Sequence, residues 1–293
     1  MYNIPGLFLQ ACLFCEKIKG YPYIRWQSNC GFCMYFPLQE IEAARLNQND
    51  PEHLRIHSIE TFGTHDGPGV RLVIFVQGCQ FRCVYCQNPD TLDVKGGMLV
   101  EINELVQRAV RQRGYFGKEG GVTVSGGEPL LQRNKLLHLF KQLHEEGINT
   151  CLDSNGRLNN AEVHALLEYT DLLLLDVKHI NDEWHRKLTG LSNRTTLELA
   201  AYREATGKRM WLRYVLVPGW TDQEEYLEEW AQFFSNYKTV DRVELIPFHQ
   251  FGQHKWEAMN IPYPLQGLES PSAASKQKAL SIFQRYFNNV VLK

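Results

Sequence analysis

Three cysteines stand close together in the stretch GCQFRCVYCQNPDT, at Cys79, Cys83 and Cys86, in the spacing C-x3-C-x2-C. A structural metal site built only from protein side chains closes with four ligands. A four-iron cluster takes one thiolate per iron. Three thiolates on such a cluster leave one iron open to a molecule that offers an amine and a carboxylate. The plainer readings are a three-thiolate zinc site completed by a histidine, or buried thiols with no role. A second motif, VSGGEP at 124–129, weighs against both. A glycine pair directly after a strand lets backbone approach a ligand closely, and Glu128 beside it is placed to accept hydrogen bonds from a ligand ammonium group.

The elements that must hold these residues alternate from about Leu54 onward. RLVIFVQG (71–78) is a nearly continuous apolar run, the pattern of a strand covered on both faces. GVTVSG (121–126), NTCLDSN (149–155), DLLLLDVK (171–178), WLRYVLVPG (211–219) and DRVELIPF (241–248) resemble it. Helical patterns lie between. The segment 131–147 puts Leu136, Leu139, Phe140 and Leu143 on one face and Gly147 at its stop. The segment 195–207 ends on Gly207 in the same way, and 222–234 opens on Asp222 as N-cap. Strands alternating with helices predict parallel βα units. Six of them predict an α/β fold, a partial (β/α)6 TIM-like barrel, with an open doubly wound sheet as the alternative. Either architecture binds ligands beyond the carboxyl ends of its strands. The unusual residues cluster there: the cysteine loop, SGGEP, Asp153, Asp176 with Lys178, Val-Pro-Gly and PFHQFG follow the six strands in turn.

The chain has 293 residues, 44% hydrophobic and 22% charged, an ordinary soluble balance. A net charge of −2 gives no bulk attraction to nucleic acid or anionic membrane. No apolar run approaches the roughly 20 residues that span a bilayer, and no basic residues precede the short apolar start as a signal peptide requires. The eight cysteines fall in close pairs in a long chain, which favours metal ligation in a reducing, cytoplasmic setting over disulfides. Residues 1–50 form a small Cys-rich extension outside the βα pattern, and 51–293 form the core. The extension holds Cys12-x2-Cys15 and Cys30-x2-Cys33 and ends in the polar LNQNDPEH. Its four cysteines fit a zinc knuckle or a second iron–sulfur cluster; a mistaken upstream start is the third reading.

Over residues 54–293 the sequence resembles the radical S-adenosylmethionine (SAM) enzymes, and within them the pyruvate formate-lyase activating enzymes. The likeness is carried by IHSIETFGTHDGPGVR, GCQFRCVYCQNPDT, VTVSGGEPLLQ, TCLDSNG, LLLDVKHINDEWH, RYVLVPGWTD and VELIPFHQFGQHKW. The resemblance implies a 4Fe–4S cluster on Cys79, Cys83 and Cys86, with the methionine amine and carboxylate of SAM on the open iron. Tyr85 matches an aromatic near the adenine, and Gly126, Gly127 and Glu128 match the segment that positions the SAM amino group. Asp153, Ser154 and Asp176 match a polar set near the SAM carboxylate, where a monovalent cation is implied; Ser154 stands where threonine is more familiar. Lys178, Arg213 and His249 match residues on the SAM and substrate side. The plainer alternatives are that Asp153 or Asp176 caps a following helix and that Arg213 forms a structural ion pair. Cys151 reads as core, and the spacing of His249 and His254 is not that of a helical zinc pair.

The resemblance implies the following chemistry. A reduced cluster gives one electron to the SAM sulfonium, and the resulting 5′-deoxyadenosyl radical removes an α-hydrogen from one glycine in a loop of a partner enzyme. A flavodoxin or ferredoxin is implied as reductant. The interval from Cys86 to Ser125 holds no further cysteine, so it lacks the ferredoxin-like insertion of many other activases, and this favours pyruvate formate-lyase as the target. The alternatives are activation of another glycyl radical enzyme, radical SAM chemistry on a small molecule, and, remotely, a non-enzymatic zinc-binding adaptor working through the N-terminal cysteines.

Overall fold

A computed structural model describes residues 52–293. The expectations placed on Cys12, Cys15, Cys30 and Cys33, and the domain boundary at residue 50, lie outside the described residues. The six expected parallel strands are all present: β2 (Arg71–Val76), β4 (Gly121–Gly126), β5 (Asn149–Ser154), β6 (Leu172–Asp176), β7 (Met210–Leu216) and β8 (Val240–Pro247). Three more strands were not foreseen: β1 (His53–Gly63), β3 (Met98–Glu101) and β9 (Val290–Leu292). The sheet runs β3-β1-β2-β4-β5-β6-β7-β8-β9 and its two ends do not pair, so the barrel is incomplete. From β2 to β9 every neighbour is parallel, while β1 pairs antiparallel with both β2 and β3. β1 is partly exposed and mixes polar with apolar residues, and β3 and β9 span only 4 and 3 residues. None of them carries the continuous apolar run that marks a strand covered on both faces.

Helices α1 (Ile102–Phe116), α2 (Arg133–Glu145), α3 (Ala161–Glu168), α4 (Asp182–Thr189), α5 (Arg194–Ala205), α6 (Glu224–Phe234), α7 (Gln253–Ala258) and α8 (Ala273–Gln284) follow or separate the strands. Successive strand residues point to opposite faces, and the two faces of the sheet bury different partners. On β6, Leu173 and Leu175 join the large core with Leu139, Phe140 and Leu143 of α2. Leu172 and Leu174 join a small cluster with Trp211 and Cys151, which is fully buried as expected of core. Asp222 is not the cap of α6. Gln223 holds that position, and the Asp222 carboxylate accepts from the Gly219 N–H at 2.7 Å, closing the turn after β7 instead.

A fully buried arginine, Arg71, fixes the amino ends of the strands. Its guanidinium donates to the carbonyls of Pro68, Glu119 and Val122, each at 3.0 Å, and to Asn149 Oδ1 at 2.9 Å. Its Nε donates to Thr123 Oγ1 at 2.6 Å, and that hydroxyl donates to the Asp66 carbonyl at 2.6 Å. The HDGPG loop is thereby held against the strands, with Asp66 facing the cavity described next. Among the described residues no helix is long and apolar enough to cross a membrane.

Candidate active site

The cysteine loop leaves the carboxyl end of β2 and is held by backbone and side-chain hydrogen bonds together. Arg82 and Val84 donate their N–H groups to Thr189 and Leu188 at the end of α4, at 2.8 and 2.9 Å. The Arg82 guanidinium folds back onto the carbonyls of Cys79 and Phe81 at 2.7 and 2.8 Å. A tight turn brings the Cys86 N–H to the Cys83 carbonyl at 3.0 Å. The segment after β8 clamps the far side. Trp256 Nε1 donates to the Cys86 carbonyl at 2.9 Å, while the Gln87 amide donates to the His249 carbonyl and accepts from the Gly252 N–H, at 2.9 and 2.7 Å.

The three thiols open onto a cavity of about 300 Å³ at the carboxyl ends of the parallel strands. Tyr85, Gly126, Gly127, Asp153, Ser154, Asp176, Lys178, Arg213 and His249 line it with them, so the structure brings all but one of the expected core site residues together. Asp153 and Asp176 each have a cationic partner. Arg213 donates to Asp153 at 2.9 Å, to the fully buried Glu244 at 3.0 Å, and to the His65 carbonyl at 2.8 Å. Burial opposes the Arg213 charge, but Asp153 and Glu244 outweigh it and raise its pKa above the ordinary value. Lys178 Nζ meets Asp176 at 2.8 Å and lies 5.7 Å from the centre of the Tyr85 ring, within cation–π range. Burial works against its charge too, and Asp176 again outweighs it, raising the pKa well above the ordinary lysine value. Two buried polar atoms at the cavity residues have no hydrogen-bond partner among the described residues: Asp153 Oδ1 and the Tyr85 hydroxyl.

Glu128 is the exception. It is fully buried and does not line the cavity. One oxygen accepts from the Leu130 N–H and the Ser154 hydroxyl at 2.9 and 2.7 Å, and the other from the Asn155 N–H at 2.8 Å. Where the sequence led us to expect a ligand ammonium group, this structure turns the side chain away from the cavity onto three protein donors. The glycine pair lines the cavity and also permits a close approach between two backbone segments. A Cβ on Gly126 would lie 2.5 Å from the Val76 nitrogen, and one on Gly127 2.2 Å from the Gly78 oxygen. Their smallness lets the turn after β4 press against the backbone of the cysteine loop. Asp66, Gln87, Asn88 and Asn155 line the cavity as well and were given no role from sequence. HDGPG, CQNPD and DSNG are visible as polar loop motifs, but the direction of their side chains is not.

An incomplete parallel barrel with three cysteines after its first parallel strand defines a class: the Radical SAM superfamily, whose family model matches residues 73–233. The chain is 42% identical over 240 residues to the pyruvate formate-lyase 1-activating enzyme of Escherichia coli (strain K12), covering 81% of this chain and 98% of that one. It is 43% identical over 225 residues to the pyruvate formate-lyase-activating enzyme of Streptococcus mutans serotype c, covering 74% and 86%. Within the superfamily, the chain belongs to the pyruvate formate-lyase activating enzymes. Two solved structures show the same fold at low identity. A domain of pyruvate-formate lyase-activating enzyme from Bacteroides vulgatus has a TM-score of 0.51 at 22% identity, over 59% of this chain and 99% of that one. Streptococcus suis SuiB, bound to its precursor peptide SuiA, has a TM-score of 0.61 at 15% identity, over 98% and 61%.

Membership implies a 4Fe–4S cluster and SAM, and the donor set fits both. Burial raises the pKa of all three thiols, that of Cys83 to about 12, so as free thiols they are neutral. Cationic iron removes that penalty by binding the thiolate form. Among the described residues no three His, Cys, Asp or Glu side chains converge on a point that one metal ion fits. Three thiols facing one cavity suit a cluster with one thiolate per iron.

The Glu128 carboxyl carries a pH signature. Burial lifts its pKa from 4.5 to about 7, against the pull of its three donors. The folded chain keeps this proton to about pH 7 and the unfolded chain only to about 4.5. Its contribution to stability is therefore full below 4.5 and lost as the pH rises toward 7, at up to about 1.4 kcal/mol per pH unit. Urea denaturation of Glu128→Gln across that window is expected to lack this slope; a slope equal to that of the unsubstituted chain would contradict the assignment.

Proposed function

We propose that this chain generates a glycyl radical on pyruvate formate-lyase, using SAM bound at a 4Fe–4S cluster held by Cys79, Cys83 and Cys86. The observation that carries the reading is the set of three thiols, two buried and one half-buried, facing one cavity with the paired residues Asp153–Arg213 and Asp176–Lys178. Bound together, the reduced cluster and SAM supply a one-electron cleavage of a carbon–sulfur bond, and with it the abstraction of one glycine α-hydrogen. The chain's own residues bind, orient and exclude water. Tyr85 offers a ring face to the adenine, with Lys178 beside it. Asp153 Oδ1, buried without a partner, is free to accept from the SAM ammonium group or to meet a monovalent cation between it, Ser154 and Asp176. Arg213 fixes the Asp153 carboxylate, and His249 stands on the substrate side of the cavity. A glycine suits the substrate role because no side chain obstructs close approach. Its peptide loop enters through the open side of the barrel.

The family names of the relatives and the cysteine-free interval from Cys86 to Ser125 support pyruvate formate-lyase as the target. A flavodoxin or ferredoxin supplies the electron, and the three thiols require a reducing compartment, the cytoplasm. Electron paramagnetic resonance on the anaerobically reconstituted, reduced chain mixed with SAM and pyruvate formate-lyase tests this. A persistent glycyl doublet on the partner is expected, and Cys83→Ala is expected to abolish it. Release of 5′-deoxyadenosine with no doublet would contradict the target and favour a small-molecule substrate or another glycyl radical enzyme.

Zinc on Cys12, Cys15, Cys30 and Cys33 is proposed from their spacing alone. The full-length chain is expected to contain zinc that a Cys30→Ser, Cys33→Ser double variant lacks. Equal zinc in the two would refute it, and loss of iron instead would assign a second cluster.

A further inference from the structure

The corner that follows β5 contains a side-chain amide whose direction is fixed by chemistry. Asn155, 6% exposed, points its Nδ2 at the Cys79 sulfur, 3.8 Å away. Its Oδ1 accepts from the Arg157 N–H at 3.0 Å and from Gln80 Nε2 at 3.2 Å. A backbone N–H only donates, so the atom facing Arg157 must be the oxygen. The NH2 end is thereby directed at the thiol, and a flipped amide would set two donors against each other. The backbone of Asn155 is held equally firmly. Its N–H donates to Glu128 Oε2 at 2.8 Å and its carbonyl accepts from Thr196 Oγ1 at 2.7 Å. Glu128 also takes the neighbouring Ser154 hydroxyl, and that hydroxyl in turn accepts from the Gly156 N–H at 3.0 Å. A buried carboxylate that meets no ligand thus locks the corner that aims the Asn155 amide.

We infer that Asn155 is a positioning residue that donates a hydrogen bond to the Cys79 sulfur and so raises the reduction potential of the cluster bound there, an inference that rests on the proposed assignment of Cys79 as a cluster ligand. Hydrogen bonds to the sulfurs are among the features that set the potential of an iron–sulfur cluster. An N–H dipole aimed at a thiolate stabilises negative charge on it, and the reduced cluster carries more of that charge. The reduced form is favoured, which eases electron transfer from the donor protein. Gln80, next to Cys79 in sequence, acts through Asn155 by holding its oxygen.

The test is a redox titration of the full-length, reconstituted chain, followed by electron paramagnetic resonance with no SAM present. At a fixed solution potential, Asn155→Ala is expected to show a ratio of reduced to oxidised cluster about threefold to tenfold lower, the size of one net hydrogen bond. Gln80→Leu, which frees the amide without removing it, is expected to shift the ratio the same way by less. An Asn155→Ala chain with full iron content and an unchanged titration overturns the inference. If that chain does not assemble a cluster, Gln80→Leu decides: a lowered ratio upholds the inference and an unchanged one overturns it. A Cys79→Ala chain with unaltered iron content and spectrum would instead overturn the ligand assignment itself, a distinct failure.

Discussion

The site is held together by one carboxylate that never meets water. Glu128 joins three parts of the chain: its backbone N–H donates to the Gly78 carbonyl at 2.7 Å, and its side chain takes donors from the turn after β4 and the corner after β5. The cysteine loop, the glycine turn and the Ser154–Asn155 corner are therefore tied to one another through a single residue. An uncompensated buried carboxylate is costly, so the three donors are a condition of its being there at all. Glycine at 126 and 127 is the second condition, because any Cβ at these positions would strike the β2 end.

Around this anchor the barrel interior is polar but paired. Arg213 reaches from β7 to Asp153 on β5 and Glu244 on β8, and Lys178 reaches to Asp176. Buried ion pairs of this kind do little for net stability, because desolvation offsets most of their attraction. What they provide is direction. Arg213 has fixed partners on three sides, which leaves Asp153 with one committed oxygen and one buried without a partner. A cavity with charges set in advance can bind a zwitterion such as a methionine group without reorganising at the moment of reaction.

Much of this was legible in the sequence, for a physical reason. Strands buried on both faces must be nearly all apolar, so six runs such as RLVIFV and LLLL declared themselves, and the residues just beyond them marked the ligand-binding end. Spacing within the cysteine loop is local and equally readable. What escaped depends on partners far apart in the chain. The bond from Gln87 to the His249 carbonyl spans 162 residues and that from Trp256 to the Cys86 carbonyl spans 170, and no local pattern encodes either. Glu128 was visible as an unusual residue, but its direction was not: the same carboxylate can face a ligand or turn inward to cap a corner. Short strands such as β3 and β9 lack enough residues to show a period.

The central claim is that the three thiols of the cysteine loop hold a four-iron cluster whose remaining iron is open to SAM. The most direct test is the electron paramagnetic resonance spectrum of the reduced, reconstituted chain recorded before and after SAM is added, without any partner protein. The account predicts a cluster signal that shifts on addition, because a new ligand reaches iron. A cluster signal that SAM leaves unchanged at saturating concentration would mean that the fourth position is closed, and would contradict the account.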